Sequence, residues 1–202
     1  MKIASFSEIQ TFAIHKLTVG LSEKLTYHHV KHTLDVLEQC QVIAELEEIK
    51  TEEEVFLLKI SALYHDVGFL QTYQGHEEKS CEIAETDLTR FGLSATQKEV
   101  VFNLIRATQV PQNPQSKLAQ IICDADLDYL GRRDFYEIGQ GLFQEFLWQG
   151  IVTNELEWNK IQVRFLESHQ YFTASSKQRR EKQKQEYLQQ VKAKVVQLEQ
   201  QF

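Results

Sequence analysis

Three short clusters of histidine and aspartate hold the side chains best suited to chemistry. The first is Tyr27-His28-His29-Val30-Lys31-His32-Thr33. His28 and His32 are four residues apart, so on a helix both imidazoles leave one face. Such a pair can hold a divalent metal or set an acid beside a ligand; it is also an ordinary feature of a polar helix surface. The second cluster closes an apolar run, Ile60-Ser61-Ala62-Leu63-Tyr64, with His65 and Asp66. A charged aspartate carried into a core is costly unless it is paired or metal-bound. The third is Asp124, Asp126 and Asp128, directly after Ile121 and Ile122. Acids so close together repel unless a cation offsets them. The plainer alternative is that they are capping and surface acids before Gly131.

The elements that position these clusters read as helices. Two prolines, Pro111 and Pro114, and eight glycines in 202 residues leave few breakers, and leucine, glutamate, glutamine and lysine favour helix. Apolar spacing predicts helices over 5–19, 27–48, 51–68, 75–91, 94–108, 116–130, 133–149, 154–172 and 175–200. The expected inward faces include Ile9, Phe12, Ala13 and Leu17 in the first, and Val30, Leu34, Leu37, Val42, Ile43 and Leu46 in the second. Thr51 before three glutamates looks like an N-cap, Gly92 like a C-cap, and Gly131 like a stop. The expected fold class is all-α, one domain over 1–202 with no internal repeat or linker.

Composition narrows the function. No apolar run approaches twenty residues, and the mean hydropathy is −0.39, which predicts no spanning helix and no membrane partner. The polar residues dispersed through the first seventeen positions do not form a secretory leader, so a cytoplasmic location is expected. Cys40, Cys81 and Cys123 are odd in number, with no CxxC pair. They are expected to be small core residues rather than disulfides or zinc ligands. The net charge is −7, but residues 173–202 hold seven Lys/Arg against three Glu. An acidic body with a basic last helix predicts a solvated helix face, not a nucleic-acid partner.

Taken together, His32, His65-Asp66 and Ala125-Asp126 resemble the H…HD…D pattern of the HD-domain superfamily of metal-dependent phosphohydrolases. The resemblance spans about 27–130, with C-terminal helices over 133–202. It implies a helical bundle in which His32, His65, Asp66 and a late aspartate hold one divalent metal. Ala125-Asp126 fits the family's Ala-Asp, with Asp124 the runner-up; the two lie about 200° apart on an ideal helix, so both do not reach one ion. Two imidazoles and two carboxylates leave a neutral site that manganese, magnesium, iron, zinc, cobalt or nickel tolerates.

The resemblance also implies roles around the metal. Tyr27 to His32 is similar to the YHNxxH signature of the cyclic-nucleotide phosphodiesterase branch, with His29 in place of Asn; this would make His28 the general acid and Asp66 part of the catalytic centre. Some members use a histidine near position 76 for a second metal, with a further His pair downstream. The stretch Leu104 to Pro111 has no histidine, so one metal is expected, with His76 contacting substrate or a metal ligand. Arg132 and Arg133 could grip a phosphate, with Arg106 and Lys79 as weaker cationic choices. His15 and His169 are expected to be packed helix residues. The expected activity is hydrolysis of a phosphomonoester or phosphodiester of a small molecule, with a nucleotide foremost. The rival readings are a non-catalytic metal- or nucleotide-binding regulatory module and a di-iron HD-type oxygenase. Oligomeric state is not readable.

Overall fold

The computed structural model describes residues 3–200. It contains α1 (Phe6–Gly20), α2 (Val30–Leu46), α3 (Glu52–Tyr64), α4 (His76–Arg90), α5 (Ala95–Ala107), α6 (Lys117–Asp126), α7 (Phe135–Trp148), α8 (Glu155–Ser168) and α9 (Ala174–Glu199). Single 3-10 turns, Val67–Leu70 and Asp128–Gly131, follow α3 and α6. No strand occurs among the described residues, so the fold is all-α. No described helix is long and apolar enough to cross a membrane.

Local chemistry sets most boundaries. Ser5 and Ser94 form capping boxes with Glu8 and Gln97, satisfying free N–H groups at each helix start. Gly92 adopts φ +82°, and the Leu93 amide reaches back to the Leu88 carbonyl, closing α4 as expected. Thr51 occupies the cap position of α3, but its side chain makes no cap hydrogen bond. The three first-turn glutamates are there to favour that helix end.

Four expected helices are clearly shorter in the structure. The second begins at Val30, not Tyr27, because the His29 ring takes the cap and accepts the His32 amide at 3.3 Å. The third, expected to reach Gly68, ends at Tyr64 before the first 3-10 turn. The sixth ends at Asp126, and Leu127 leaves helical geometry before the 3-10 turn. The eighth ends at Ser168; the amides of Phe172 and Thr173 go instead to Asp124, each at 2.8 Å.

Two apolar clusters form the interior. One gathers α1 to α6 around residues such as Ile9, Cys40, Leu58, Leu63, Leu88 and Ile122. The other gathers Tyr27, Tyr129, Phe135, Leu166, Tyr171 and Val191 between the second 3-10 turn and α7 to α9. All three cysteines are free and buried. The inward face of α2 is rotated from the expected one: His32, Val36, Cys40 and Ile43 are buried, whereas Leu34 and Leu46 are exposed. The polar His32 belongs to that face, which a purely apolar pattern passes over. In the basic last helix, Arg180, Lys184, Lys192 and Lys194 are paired with Asp128, Glu181, Glu167 and Glu155.

Candidate metal centre

His32 from α2, His65 and Asp66 from the end of α3, and Asp126 from the end of α6 meet in the interior. The Nε2 atoms of His32 and His65 are 3.3 Å apart. Asp126 Oδ1 lies 3.2 Å from the first and 3.6 Å from the second. Asp66 Oδ2 lies 3.4 Å and 3.1 Å from the same two atoms. His32, His65 and Asp66 offer ligand atoms all within 4.8 Å of one another. Asp66 Oδ2 is buried and has no hydrogen-bond partner. An orphaned carboxylate oxygen facing two imidazole nitrogens is a donor set that a divalent cation satisfies.

The backbone aims these atoms. His65 donates from Nδ1 to the Ala62 carbonyl at 2.9 Å, which turns Nε2 toward the cluster. Ser80 of α4 donates to the His65 carbonyl at 2.7 Å and accepts the Gly68 amide at 2.8 Å. The turn after Asp66 therefore lies tight against α4. A Cβ at Gly68 would come within 2.0 Å of the His76 carbonyl oxygen. Glycine is required there for close approach, and it brings His76 Nε2 to 3.4 Å from Asp66 Oδ1.

Electrostatics follow from that crowding. Burial pushes the His32 pKa down, but Asp126 and Asp66 overcome it and raise it to about 9. Burial likewise opposes the charged form of Asp126, yet the two imidazoles hold it at about 2. Asp66 is held well below the carboxylate range by His65, His32 and His76 despite its burial. Histidine protons thus balance the two carboxylates, the charge that a metal ion would replace.

The other expected residues divide. Asp124 does not face the histidines. It accepts the Phe172 and Thr173 amides and, at 2.6 Å, the Thr173 hydroxyl, and so ties α6 to the start of α9. Asp128, one turn on, is bound by Arg180 at 2.8 Å. Asp126 leaves the opposite side of α6, toward His32. Arg132 is committed to Asp35 and Asp134, and neither it nor the exposed Arg133 lines the cavity beside the cluster. The phosphate-gripping role expected for both is therefore not supported. Arg106 and Lys79 are paired with Glu78 and Glu82. His15 is exposed rather than packed. His169 caps the end of α8 and packs on Tyr171 with ring centroids 4.7 Å apart.

His28 precedes α2 instead of sharing its face with His32. Its ring still comes close, with centroids 6.0 Å from His32 and 6.1 Å from His76, and stacks on Phe69 at 4.1 Å. The partner of His28 is Glu145 of α7, which is not among the expected site residues. Glu145 is fully buried. It meets His28 Nδ1 in a short ion-pair contact and accepts the Tyr27 and His28 amides at 3.0 and 3.1 Å. The Tyr73 hydroxyl donates to it at 2.9 Å. Burial alone would raise the Glu145 pKa, but His28 and those amides hold it below the ordinary value. An acid inside an aromatic stretch, Phe143 to Trp148, was its only trace in the sequence. Burial lowers the His29 pKa, favouring the neutral ring that caps α2 as an asparagine would.

A cavity of about 480 Å³ opens beside these groups, lined by Asp66, Asp126, His28 and His76 at one part and by side chains of α7 and α8 at another. No curated protein and no solved structure matches the chain. A family model, described as HD domain, matches residues 30–128, the span that carries His32, His65, Asp66 and Asp126. Residues 30–128 are thereby consistent with the HD-domain superfamily.

Proposed function

We propose that this protein is a metal-dependent phosphohydrolase that cleaves a phosphomonoester or phosphodiester of a small molecule. The observation that carries the reading is the convergence of two imidazoles and two carboxylates beside a cavity, with Asp66 Oδ2 buried, facing both imidazole nitrogens and making no hydrogen bond. His32 and His65, through Nε2, with Asp66 and Asp126 would hold the ion. A bound divalent cation supplies Lewis acidity, lowering the pKa of water and drawing charge from the phosphoryl group. One ion per chain is favoured, because among the described residues one group of three metal-competent side chains converges.

The remaining work falls to this chain's own residues. His28, held at Nδ1 by Glu145, has Nε2 left for the cavity and donates a proton to the leaving alkoxide. Glu145, meeting the ring at Nδ1, fixes its orientation. His76, with Nδ1 on the Tyr73 carbonyl and Nε2 toward Asp66 Oδ1, would orient the Asp66 carboxylate. The apolar walls limit water around the reacting group.

The test is a screen of phosphate esters, nucleotides included, with manganese, magnesium, iron, zinc, cobalt and nickel added in turn. Metal-dependent phosphate release that disappears in Asp66→Ala is expected. Metal binding without turnover on any ester would replace the enzyme with a regulatory module.

A further inference from the structure

The cavity beside the candidate metal centre has two unlike parts. Toward the cluster it presents carboxylates, imidazoles and the Tyr27 and Tyr129 rings. Its remaining lining includes Leu142 and Phe146 of α7, Trp158, Ile161, Phe165 and Leu166 of α8, and the neutral polar Gln74, Thr108, Gln109 and Gln162. Among the described residues, no lysine or arginine lines any part of it. The charged side chains at its surface besides the histidines are Asp66, Glu77 and Asp126, all acidic. Two cationic side chains suggested by sequence, Arg132 and Arg106, are spent on Asp35, Asp134 and Glu78.

That lining selects a substrate. A chain of two or three phosphates carries several charges that proteins neutralise with Arg, Lys or extra metal. Here one phosphate can be met at the metal centre; for a second the lining offers neutral side chains such as Gln74, Thr108, Gln109 and Gln162 but no cation. An uncharged aliphatic or aromatic body gains from leaving water for the apolar side chains of α7 and α8. Resting on the phosphohydrolase reading above, we propose that the substrate is an ester of a single phosphate whose alcohol portion is uncharged and largely apolar, seated between α7 and α8.

A series of straight-chain alkyl monophosphates from methyl to decyl tests this, alongside nucleoside mono-, di- and triphosphates. Each buried methylene is expected to raise kcat/KM about fourfold until the chamber is filled, and the octyl ester should outrun every nucleoside di- or triphosphate. Ile161→Trp, which narrows the chamber, should shorten the chain length at which the gain stops. Binding of alkyl phosphonates, followed by calorimetry on the unmodified protein, should tighten along the same series without any need for turnover. Hydrolysis that is flat or falling with chain length, or fastest with triphosphates, overturns the chamber assignment and leaves the phosphohydrolase standing. Phosphonate affinity that rises with length while no ester is cleaved upholds the chamber and removes the phosphohydrolase. Phosphonate affinity independent of length removes the chamber assignment whatever the turnover.

Discussion

The two walls of the cavity are built on opposite terms. On the α2–α3–α6 side, each of two carboxylates lies 3.1–3.6 Å from two imidazole nitrogens, and each group is held there against burial by its neighbours' charge. On the α7–α8 side, binding surface comes from leucine, isoleucine, phenylalanine and tryptophan, which need no partner to be buried. The first wall is specified by a few atoms with fixed donors and acceptors. The second is specified by volume. Losing one atom of the first leaves a buried charge uncompensated, whereas the second accepts apolar exchange at modest cost. Glu145 is the exception: it reaches from the second wall into the first.

Glu145 makes the sharpest way to test that division. His28→Ala is expected to lower turnover of an alkyl ester by about 100- to 10,000-fold, and to cost much less with p-nitrophenyl phosphate, whose leaving group needs no proton. Glu145→Gln should show the same leaving-group dependence, with a smaller loss, because His28 remains but its carboxylate is gone. Parallel losses on both esters, with metal content unchanged, would make the pair a structural contact.

Asp124 and Asp126, two residues apart in α6, divide between structure and chemistry. Asp124→Ala removes three hydrogen-bond acceptor contacts at the start of α9. It should cost about 2–3 kcal/mol of stability in chemical denaturation, with metal binding kept. Metal loss in Asp124→Ala at full stability would reverse the two roles.

The smallest effect concerns a contact remote from the cavity. Glu47 binds Lys117 and the Ser175 amide, linking the end of α2 to α6 and α9. Burial alone would raise its pKa, but Lys117 and Ser175 bring it to about 2. A carboxylate depressed below its unfolded value of about 4.3 stabilises the fold fully above that pH and loses its contribution as pH falls toward 2. Glu47→Gln should therefore cost about 1 kcal/mol at pH 7, given the exposure of Lys117, with the difference from wild type shrinking between pH 4 and 2. A difference that is constant over that range would show that the ion pair adds nothing.

The polar wall was legible in the sequence and the apolar wall was not. His32, His65-Asp66 and Ala125-Asp126 are rare residue types at apolar positions, and their order matches a family pattern. The helices were legible too, because few breakers interrupt the apolar periodicity. What failed were the places where a side chain outside the helix takes a backbone group: the His29 ring at the start of α2, and Asp124 at the amides of Phe172 and Thr173. Such long- or short-range caps leave no periodic trace. Arg132 looked free beside Gly131, but its partner Asp35 lies far away in sequence. Leu142, Phe146 and Ile161 read as ordinary amphipathic helix positions, and only the packing of α7 near α8 turns them into a chamber.

The central claim is that His32, His65, Asp66 and Asp126 form one metal site. Elemental analysis of metal-reconstituted, dialysed protein tests it most directly, on wild type, Asp66→Ala, Asp126→Ala and Asp124→Ala, each checked for helical content by circular dichroism. One divalent ion per chain is expected in wild type and Asp124→Ala. Affinity should fall in Asp66→Ala and Asp126→Ala by more than the roughly 100-fold that partners outside the ligand set reach. Full metal occupancy in folded Asp66→Ala and Asp126→Ala would contradict the account.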